Sequence, residues 1–592
     1  MKPTLVMDLE IYVDYFLAAF HDLATGRVRC FEMFPGQALD IAEVEAVLAA
    51  ATIVTFNGAS FDVPLLSMAL EGADCRKVKD ACDAIIGQNI RSFALEKRFN
   101  FQIRGDLDHI DLIEVAPGIS SLKIYGGRLH CQKMQDLPIE PSANIRPDQR
   151  ASLREYCAND LTVTALLYKK LLPQIDLRIK MGQQYGMDLR SKSDAQIAET
   201  VIKSEVEKNG KPVTRPDIEA GTTYQYSAPA FIAFQDPELR ELLNSIQACN
   251  FTVSGSGKVD EPPWLKKKSV TLGQSRYRMG IGGLHSMESC VAHYADEHTV
   301  LIERDVASYY PNIILALGLA PRQMGERFTR VYRSIVERRL AAKHSGDKVS
   351  ADTLKICVNG SFGKLGSKWS VLFAPDLLIC TTLTGQLSLL QLIEQLELAG
   401  ISVVSANTDG IVIKCPKGLV ELMDDIVWGW ECITGFDTEK TEYRALYSRD
   451  VNGYIALKTD GKTKRKGPYA VASLSKSPAN DVCVDAAIAF VTEGTPVESF
   501  IRACQDIRQF VTIRSVKGGA LDQDGQYIGK AVRWYHSTHA VGPLTYKVNG
   551  YTVARSDDTK ALMELPVALP DDLDYPWYIA EAQSILQDIG VH

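Results

Sequence analysis

Apolar and polar residues follow a regular spacing along much of the chain. The segment TLVMDLE near the start and the segment AATIVTFNG that ends near Asn57 are strand-like apolar runs. The segment 151–172 places its apolar residues at helical spacing instead. Strands and helices that alternate in this way predict an α/β region at the start of the chain.

The clearest pattern lies between residues 300 and 475. TVLIERDVASYYP predicts a strand that runs into a turn, and VYRSIVERRLAAK and DTLKICVNGSFGKLG predict two helices joined by the short link HSGDKVSA. Two β-rich runs then meet at the segment Asn407–Gly410, whose sequence NTDG is typical of a hairpin. The segment 476–592 mixes predicted helices with a loop-rich end.

Length and composition indicate a large globular protein. The chain has 592 residues, 46% of them hydrophobic and 23% charged, which predicts three or more domains. Its net charge of −8 is only weak evidence against nucleic acid, because an acidic protein can carry a local basic channel. No uninterrupted apolar run approaches the ~20 residues that span a bilayer. We therefore expect a cytoplasmic protein that does not bind membranes.

Two aspartates stand where carboxylates could bind metal ions. Asp305 ends the predicted strand and Asp409 lies at the apex of the predicted hairpin. Adjacent strands would bring the two carboxylates together, as enzymes that transfer phosphoryl groups with two metal ions require. Taken singly, each residue is more simply explained as a turn aspartate.

Three segments, taken together, favour a metal-binding role for these aspartates over a turn role. Asp305–Pro311 (DVASYYP) resembles motif A of family B DNA polymerases, D-x-x-S-L-Y-P. Lys355–Gly363 (KICVNGSFG) resembles their motif B, K-x-x-x-N-S-x-Y-G, and Ser405–Gly410 (SANTDG) resembles their motif C, Y-x-D-T-D-S. The resemblance implies a DNA-templated DNA polymerase, most like the replicative enzymes of bacteriophages.

The resemblance also implies roles for individual residues. Asp305, Asp409 and the backbone carbonyl of Val306 would hold two Mg²⁺ ions, with Mn²⁺ as a substitute. Tyr310 would act as a steric gate against the 2′-hydroxyl of ribonucleotides. The deoxynucleoside triphosphate (dNTP) would be bound by Tyr310, Arg339, Lys343, Lys355, Asn359 and Phe362. For the three cations, the alternative is an ordinary solvated basic helix face.

The motifs depart from the family pattern at several positions. Asn407 stands where motif C has its first aspartate, Gly410 replaces a serine, and Phe362 replaces the motif B tyrosine. Before Tyr454, the lysine of the usual K-x-Y element is absent. Tyr454, Lys464 and Lys466 are therefore predicted to contact primer-template DNA. The glycines Gly282 and Gly283 are predicted to let the backbone approach a template phosphate.

The start of the chain carries a second set of acids. Asp8 and Glu10 are separated by one residue on a predicted strand, so both side chains project to the same face. Together with Asn57-x-x-x-Phe61-Asp62 and Tyr156-x-x-x-Asp160 they resemble the three exonuclease motifs of the same family. The resemblance implies that Asp8, Glu10, Asp62 and Asp160 bind two metal ions and that Tyr156 orients the attacking water. Four residues would contact the single-stranded primer end: Asn57, Phe61, Ser121 and Leu122.

The implied fold class is a mixed α/β and α+β multidomain protein, an RNase H-like exonuclease joined to a right-hand polymerase. The predicted domains are 1–180 (exonuclease), 181–300 (connecting and N-terminal palm), 301–325 (palm), 326–366 (fingers), 367–475 (palm) and 476–592 (thumb). In the predicted thumb, Arg533 and Trp534 could either touch duplex DNA or pack in a core.

Motif spacing bears on priming. Fifty residues separate Asp305 from Lys355, and 54 separate Lys355 from Asp409. Protein-primed relatives carry insertions in these intervals, so we expect a nucleic-acid primer here. Expected partners are primer-template DNA and dNTPs, with a processivity factor, a helicase or a single-strand-binding protein as further candidates. Two alternatives stay open: a repair or translesion polymerase, and a non-catalytic nucleic-acid-binding scaffold, which Asn407 favours.

Overall fold

The computed structural model describes residues 2–208 and 210–591. The first part of the chain forms these elements: β1 (Thr4–Ile11), β2 (Phe16–Asp22), β3 (Val28–Met33), α1 (Ile41–Ala50), β4 (Thr52–Thr55), α2 (Asp62–Leu70), α3 (Cys75–Gln88), α4 (Ser92–Phe99), β5 (His109–Asp111), α5 (Leu122–Arg128) and α6 (Arg150–Tyr185).

The middle of the chain forms α7 (Asp194–Glu207), β6 (Thr223–Gln225), α8 (Pro237–Ala248), β7 (Asn250–Thr252), α9 (Pro263–Lys267), β8 (Ser269–Leu272), β9 (Ser275–Arg278), β10 (His285–Ser286), β11 (Val291–Tyr294), β12 (Thr299–Val306), α10 (Tyr309–Ala316), α11 (Glu326–Ser345), α12 (Lys348–Leu365), α13 (Pro375–Leu398), β13 (Ser402–Asn407), β14 (Gly410–Pro416), α14 (Val420–Thr434), β15 (Thr438–Asp450), β16 (Gly453–Lys458) and β17 (Thr463–Arg465). The remainder forms α15 (Asp481–Glu493), α16 (Val497–Ala503), β18 (Thr512–Leu521), β19 (Tyr527–His536), β20 (Thr545–Tyr546), β21 (Thr559–Ala561) and α17 (Tyr575–Asp588).

The chain divides into two compact units, and neither is one continuous segment. The first unit comprises Met1–Ser193, Val471–Asp485 and Glu498–Ala580. The second comprises Asp194–Ala470, Ala486–Val497 and Glu581–His592. The segment 476–592, predicted as one thumb domain, is thus shared between the two units.

The first unit is built on a mixed five-stranded sheet in the order β3-β2-β1-β4-β5. The central strand β1 pairs antiparallel with β2 and parallel with β4. Its residues alternate between two buried faces: Met7 and Leu9 pack in one apolar core, and Val6 in another that includes residues of α6. A strand buried on both faces holds its side chains in fixed directions, which gives the polar residues of β1 a rigid support.

A second sheet of the same unit, in the order β20-β18-β19-β21, comes from the last part of the chain. Ile513 of β18 and Ala531 of β19 pack against Ile124 of α5 and Val163 of α6. Arg533 of β19 is fully buried, and its guanidinium donates to the backbone carbonyls of Cys131, Gln132, Leu562 and Met563. Trp534 is also fully buried. Both residues therefore pack in a core, and the idea that they touch DNA is wrong.

The second unit contains a ten-stranded sheet whose main path runs β17-β16-β15-β12-β14-β13-β10-β9-β8. β12 lies between β14 and β15 and is antiparallel to both. The predicted hairpin is confirmed, since β13 and β14 pair with Asn407 opposite Gly410. The sheet thus aligns the end of β12 with the β13–β14 turn.

Helices complete the second unit. The predicted helices around motif B are confirmed as α11 and α12, but only two residues, Gly346 and Asp347, separate them. α13 is long and apolar enough to span a bilayer by length and composition, yet 83% of its most apolar 18-residue window is buried within the protein. That burial is what a core helix requires.

Candidate active sites

The first site lies on β1 and the helix that covers it. Asp8 and Glu10 lie two positions apart on the strand, as their spacing predicted, and Tyr156 and Asp160 lie one helical turn apart on α6. Asp62 is the first residue of α2. Glu10, Asp62 and Asp160 are buried, with at most 7% of each exposed. The structure therefore gathers the four predicted acids, although they come from three separate segments.

The charges of these acids oppose one another. Burial raises the pKa of Asp8 well above its usual value, and the charges of Asp62, Asp160 and Glu10 add to the shift. Burial and the charge of Asp160 likewise raise the pKa of Glu10. Burial, and then the charge of Asp111, raise the pKa of Asp62 to about 7. A cluster of this kind needs positive charge nearby to stay ionised.

One lysine supplies part of that charge. Lys123 of α5 forms an ion pair with Asp160, and its Nζ lies 4.3 Å from the centre of the Tyr156 ring. Sequence reasoning missed Lys123, although it follows Ser121 and Leu122 directly. Those two neighbours have structural contacts of their own: Ser121 caps the N-terminus of α5, and Leu122 packs against the core.

The cluster fits a divalent cation by its chemistry. Carboxylate oxygens are hard donors of the kind that Mg²⁺ and Mn²⁺ prefer. Asp62 Oδ1 is buried and, among the described residues, has no hydrogen-bond partner. The Sγ atom of Cys157 adds a softer donor, because it lies within 4.8 Å of carboxylate oxygens of both Asp8 and Glu10. Sequence reasoning did not find Cys157, which has no pattern of its own.

A tight loop leads into Asp62. Asn57 adopts a left-handed backbone with φ of 69°, and its N–H donates to Asp111 Oδ1 at 2.7 Å. Asp111 Oδ2 accepts from the Ala59 N–H at 2.9 Å. Phe61 is partly buried against the apolar core. Asp111, at the end of β5, was also missed by sequence reasoning, and it fixes the loop that carries Asn57 and Phe61.

The second site lies at the end of β12. Asp305 pairs with Gly410 across the sheet, and the Val306 N–H donates to the Asp409 carbonyl at 2.7 Å. Asp305 and Asp409 line one cleft of about 130 Å³. Burial, followed by the charges of Asp409 and Glu303, raises the pKa of Asp305 to about 6. Burial also raises the pKa of Asp409.

Sequence reasoning missed two acids of this site. Glu303 lies two residues before Asp305 on β12 and lines the cleft. Glu439 of β15 lies opposite Asp305 in the sheet. The signal for Glu303 was present, because Glu303-x-Asp305 has the same alternation as Asp8-x-Glu10. This cleft fits a divalent cation on the same grounds of donor chemistry as the first site.

The basic residues of the predicted DNA contact lie in this cleft. Lys464 Nζ is 2.7 Å from Glu303 Oε1, and Lys466 Nζ is 5.9 Å from the centre of the Tyr454 ring. Burial, together with the charge of Lys464, lowers the pKa of Lys466, and Asp409 opposes that shift. Lys464, Lys466 and Tyr454 therefore share the cleft of the two aspartates.

Asn407, one of the residues at which motif C departs from the family pattern, forms a structural hydrogen bond. Asn407 Nδ2 donates to the Val451 carbonyl at 2.7 Å, a bond that an ionised aspartate could not donate. Gly283 lies against the same turn, where an added Cβ would come within 2.5 Å of Thr408 Oγ1. Close packing on Thr408 thus accounts for Gly283, whereas an added Cβ at Gly282 would meet open space.

The residues predicted to bind dNTP lie on α10, α11 and α12. Tyr310 stacks on Phe362, with ring centroids 4.2 Å apart. Arg339 Nη1 donates to Ser308 Oγ at 2.7 Å, which links α11 to motif A. Lys343 pairs with Glu439 at 3.3 Å. Lys355 and Asn359 are exposed on α12. Phe362 and Arg339 thus contact motif A, through Tyr310 and Ser308 respectively.

Comparisons with known proteins add little to this geometry. No protein-family model matches the chain, and no curated protein matches it in sequence. One similar solved structure is the family B DNA polymerase from the hyperthermophilic archaeon Pyrobaculum calidifontis, at 15% identity and a TM-score of 0.41. The match covers 100% of this chain and 78% of that one. A likeness this distant carries no argument about function, which has to be argued from the residues.

Proposed function

We propose that this chain is a family B DNA polymerase that extends a nucleic-acid primer on a DNA template. The observation that carries the proposal is the Val306–Asp409 backbone hydrogen bond, which joins motif A at the end of β12 to motif C at the β13–β14 turn. Motif order and the facing aspartates support the same reading. The role in bacteriophage genome replication rests on the sequence resemblance alone.

The proposed function assigns a role to side chains in and around the cleft. Asp305 lies at the end of β12 and Asp409 in the adjacent β13–β14 turn, so that the sheet backbone sets the separation of their carboxylates. Divalent cations, when bound there, would lower the pKa of the primer 3′-hydroxyl and offset the charge of the triphosphate. Tyr310, backed by Phe362, presents a flat ring to the sugar of the incoming nucleotide. Arg339, Lys343 and Lys355 provide cations for its phosphates.

We propose, in addition, that the first unit is a 3′–5′ exonuclease with an RNase H-like fold. The four acids around β1 and the unpartnered Asp62 oxygen support a metal-dependent hydrolase. Asp8, Glu10, Asp62 and Asp160 would hold the cations, and Tyr156 would orient the attacking water. The fixed loop that bears Asn57 and Phe61 would bind the primer end.

Primer extension with Mg²⁺ and dNTPs tests the polymerase. Wild type should extend fully, and Asp409→Ala should not. Asp425→Ala changes an exposed carboxylate of α14 and serves as the matched control, with extension unaffected. Extension that survives Asp305→Ala combined with Asp409→Ala would refute the site.

Degradation of a single-stranded primer tests the exonuclease separately. Asp8→Ala with Glu10→Ala should abolish degradation and leave synthesis intact. Asp80→Ala, which removes an exposed partner of Arg76 on α3, is the control. If degradation persists in the double variant, another site performs it.

The alternatives make different predictions. A complete exonuclease set argues against a translesion polymerase, because proofreading removes the mismatched ends that bypass creates. A non-catalytic scaffold would bind primer-template without extending it. Asn407, the one residue that favoured the scaffold, has a structural explanation in its bond to Val451.

A further inference from the structure

Glu303 is a third acid in the cleft of the second unit. It lies on the same face of β12 as Asp305, because side chains two positions apart on a strand point the same way. Its side chain is only 12% exposed, and it lines the cleft together with Asp305, Asn407 and Asp409. A carboxylate this buried needs partners to remain charged.

Glu303 has a partner at each carboxylate oxygen. Oε1 accepts from Lys464 Nζ at 2.7 Å, and Oε2 accepts from the Tyr443 hydroxyl at 2.5 Å. Lys464 lies on β17, which is separated from β12 by β15 and β16 in the sheet. Glu303 thus fixes where the Lys464 ammonium lies, which a surface ion pair between two exposed side chains would not do.

The two charges act on a cation in the cleft in opposite senses. Glu303 and Lys464 both line the cleft of Asp305 and Asp409, so the negative charge attracts a cation there and the positive charge repels it. Glu439 lies opposite Asp305 in the sheet and forms its own pair with Lys343.

Two positions, one in motif C and one before Tyr454, lack the charges that the motif patterns would place there. Asn407 is neutral, and its amide is bonded to the Val451 carbonyl. Asn452 stands two residues before Tyr454, where the K-x-Y pattern has lysine. Glu303 and Lys464 bring one negative and one positive charge into the same cleft from other strands.

We propose that Glu303 is the third carboxylate of this cleft: a positioning residue that holds Lys464 beside Asp305 and supplies the negative charge that Asn407 lacks. Lys464 supplies the ammonium that is absent before Tyr454. This inference rests on the proposed polymerase function, because it concerns the cation site of Asp305 and Asp409.

Binding of Mn²⁺, followed by electron paramagnetic resonance of the free ion, tests the proposal without turnover. All variants carry Asp8→Ala and Glu10→Ala, so that only the second cleft is observed. Glu303→Gln removes a negative charge and should weaken Mn²⁺ binding roughly three- to tenfold, as expected for unit charges a few ångströms apart in a partly buried site. Lys464→Met removes a positive charge and should strengthen binding by a similar factor.

Combined variants separate charge from packing. Glu303→Gln with Lys464→Met restores the charge sum, so binding should return to within about twofold of the parent. Asn407→Asp added to Glu303→Gln returns a carboxylate to the cleft and should recover most of the lost affinity. A purely structural role for Glu303 would give no such recovery. Glu442→Gln, on an exposed residue of β15, is the matched control and should shift nothing.

Several outcomes would overturn the proposal. Unchanged affinity in Glu303→Gln would do so, as would shifts of the same sign in both single variants. Melting curves identify a variant that fails to fold, and the Lys464→Met arm tests the charge argument independently. Asp305→Asn with Asp409→Asn should abolish Mn²⁺ binding. If binding survives that pair, the proposed catalytic site is wrong as well, which distinguishes the two failures.

Discussion

The ring of Tyr310 stacks on the ring of Phe362, with centroids 4.2 Å apart and planes inclined by 20°. The first residue belongs to motif A and the second to motif B. Tyr310 also stacks, at 6.1 Å, on Tyr309, whose hydroxyl donates to the Gly385 carbonyl. The rings of Phe362 and Tyr309 therefore support the proposed sugar gate.

That support predicts two variants with the same phenotype. Tyr310→Ala removes the gate, and Phe362→Ala removes the surface that holds it, so both should raise ribonucleotide incorporation, by roughly tenfold or more for Tyr310→Ala. Primer extension with mixed nucleotides, followed by alkaline cleavage, measures the ratio. Tyr294→Ala, which removes an exposed ring from its contact with the buried Tyr447, is the control. An unchanged ratio in Tyr310→Ala would remove the gate from the proposal.

The close approach at motif C predicts a difference between neighbouring glycines. Gly283→Ala places a Cβ within 2.9 Å of the Thr408 Cα, so the backbone must shift, at a cost of about 1–3 kcal/mol. Gly282→Ala meets no atom within 4 Å. Thermal unfolding should therefore show a lower melting temperature for Gly283→Ala and an unchanged one for Gly282→Ala. Equal melting temperatures would contradict the packing described here.

The buried guanidinium of the first unit predicts a large loss of stability. Arg533→Met leaves the Cys131 and Leu562 carbonyls without their donor, and an unsatisfied buried acceptor costs about 1–3 kcal/mol. The Gln132 and Met563 carbonyls lose the guanidinium but still accept from backbone N–H groups. We expect a strongly lowered melting temperature and no specific change in DNA affinity at temperatures where the variant is folded. Arg514→Met, which removes one exposed hydrogen bond from β18 to the Ala554 carbonyl, is the control. A DNA-binding defect without loss of stability would restore the alternative role.

A buried histidine predicts a pH dependence of stability. Burial lowers the pKa of His536 to about 4, and its ring stacks on Trp577 at 3.3 Å. The unfolded chain has an ordinary pKa near 6.5 and so binds a proton between pH 6.5 and 4 that the folded state does not. The free energy of unfolding should therefore decrease as the pH is lowered through that window, with a loss of about 2 kcal/mol at pH 5.

Melting curves at pH 7 and pH 5 measure this slope. His536→Phe keeps the aromatic stack but cannot titrate, so its melting temperature should depend less on pH than that of wild type. His298→Gln changes a histidine whose side chain is 83% exposed, and should leave the slope unchanged. A slope in His536→Phe equal to that of wild type would assign the effect to other groups.

Sequence patterns predicted the structural features that depend on a few neighbouring residues. The Asp8–Glu10 alternation, the β13–β14 hairpin and the helices around Lys355 follow from periodicity within a few residues, and the structure has them. Lys123 and Asp111 escaped prediction because their partners lie 37 and 54 residues away, so that only the folded chain brings them together. The alternation of Glu303 with Asp305 was visible in the sequence, but its partner Lys464 lies 161 residues away. The link between α11 and α12 was predicted too long because Asp347 caps α12, and so the helix starts early.

The division of the chain has a practical consequence for dissecting the two activities. Ile513 and Ala531, which cover Ile124 and Val163, belong to the first unit. In the sequence, however, they come after most of the residues of the second unit. A fragment ending at residue 193 would expose that apolar surface and leave the Cys131 and Gln132 carbonyls without Arg533. The two proposed activities are therefore best separated by point substitutions in the intact chain, since truncation would remove part of the core that supports the proposed nuclease site.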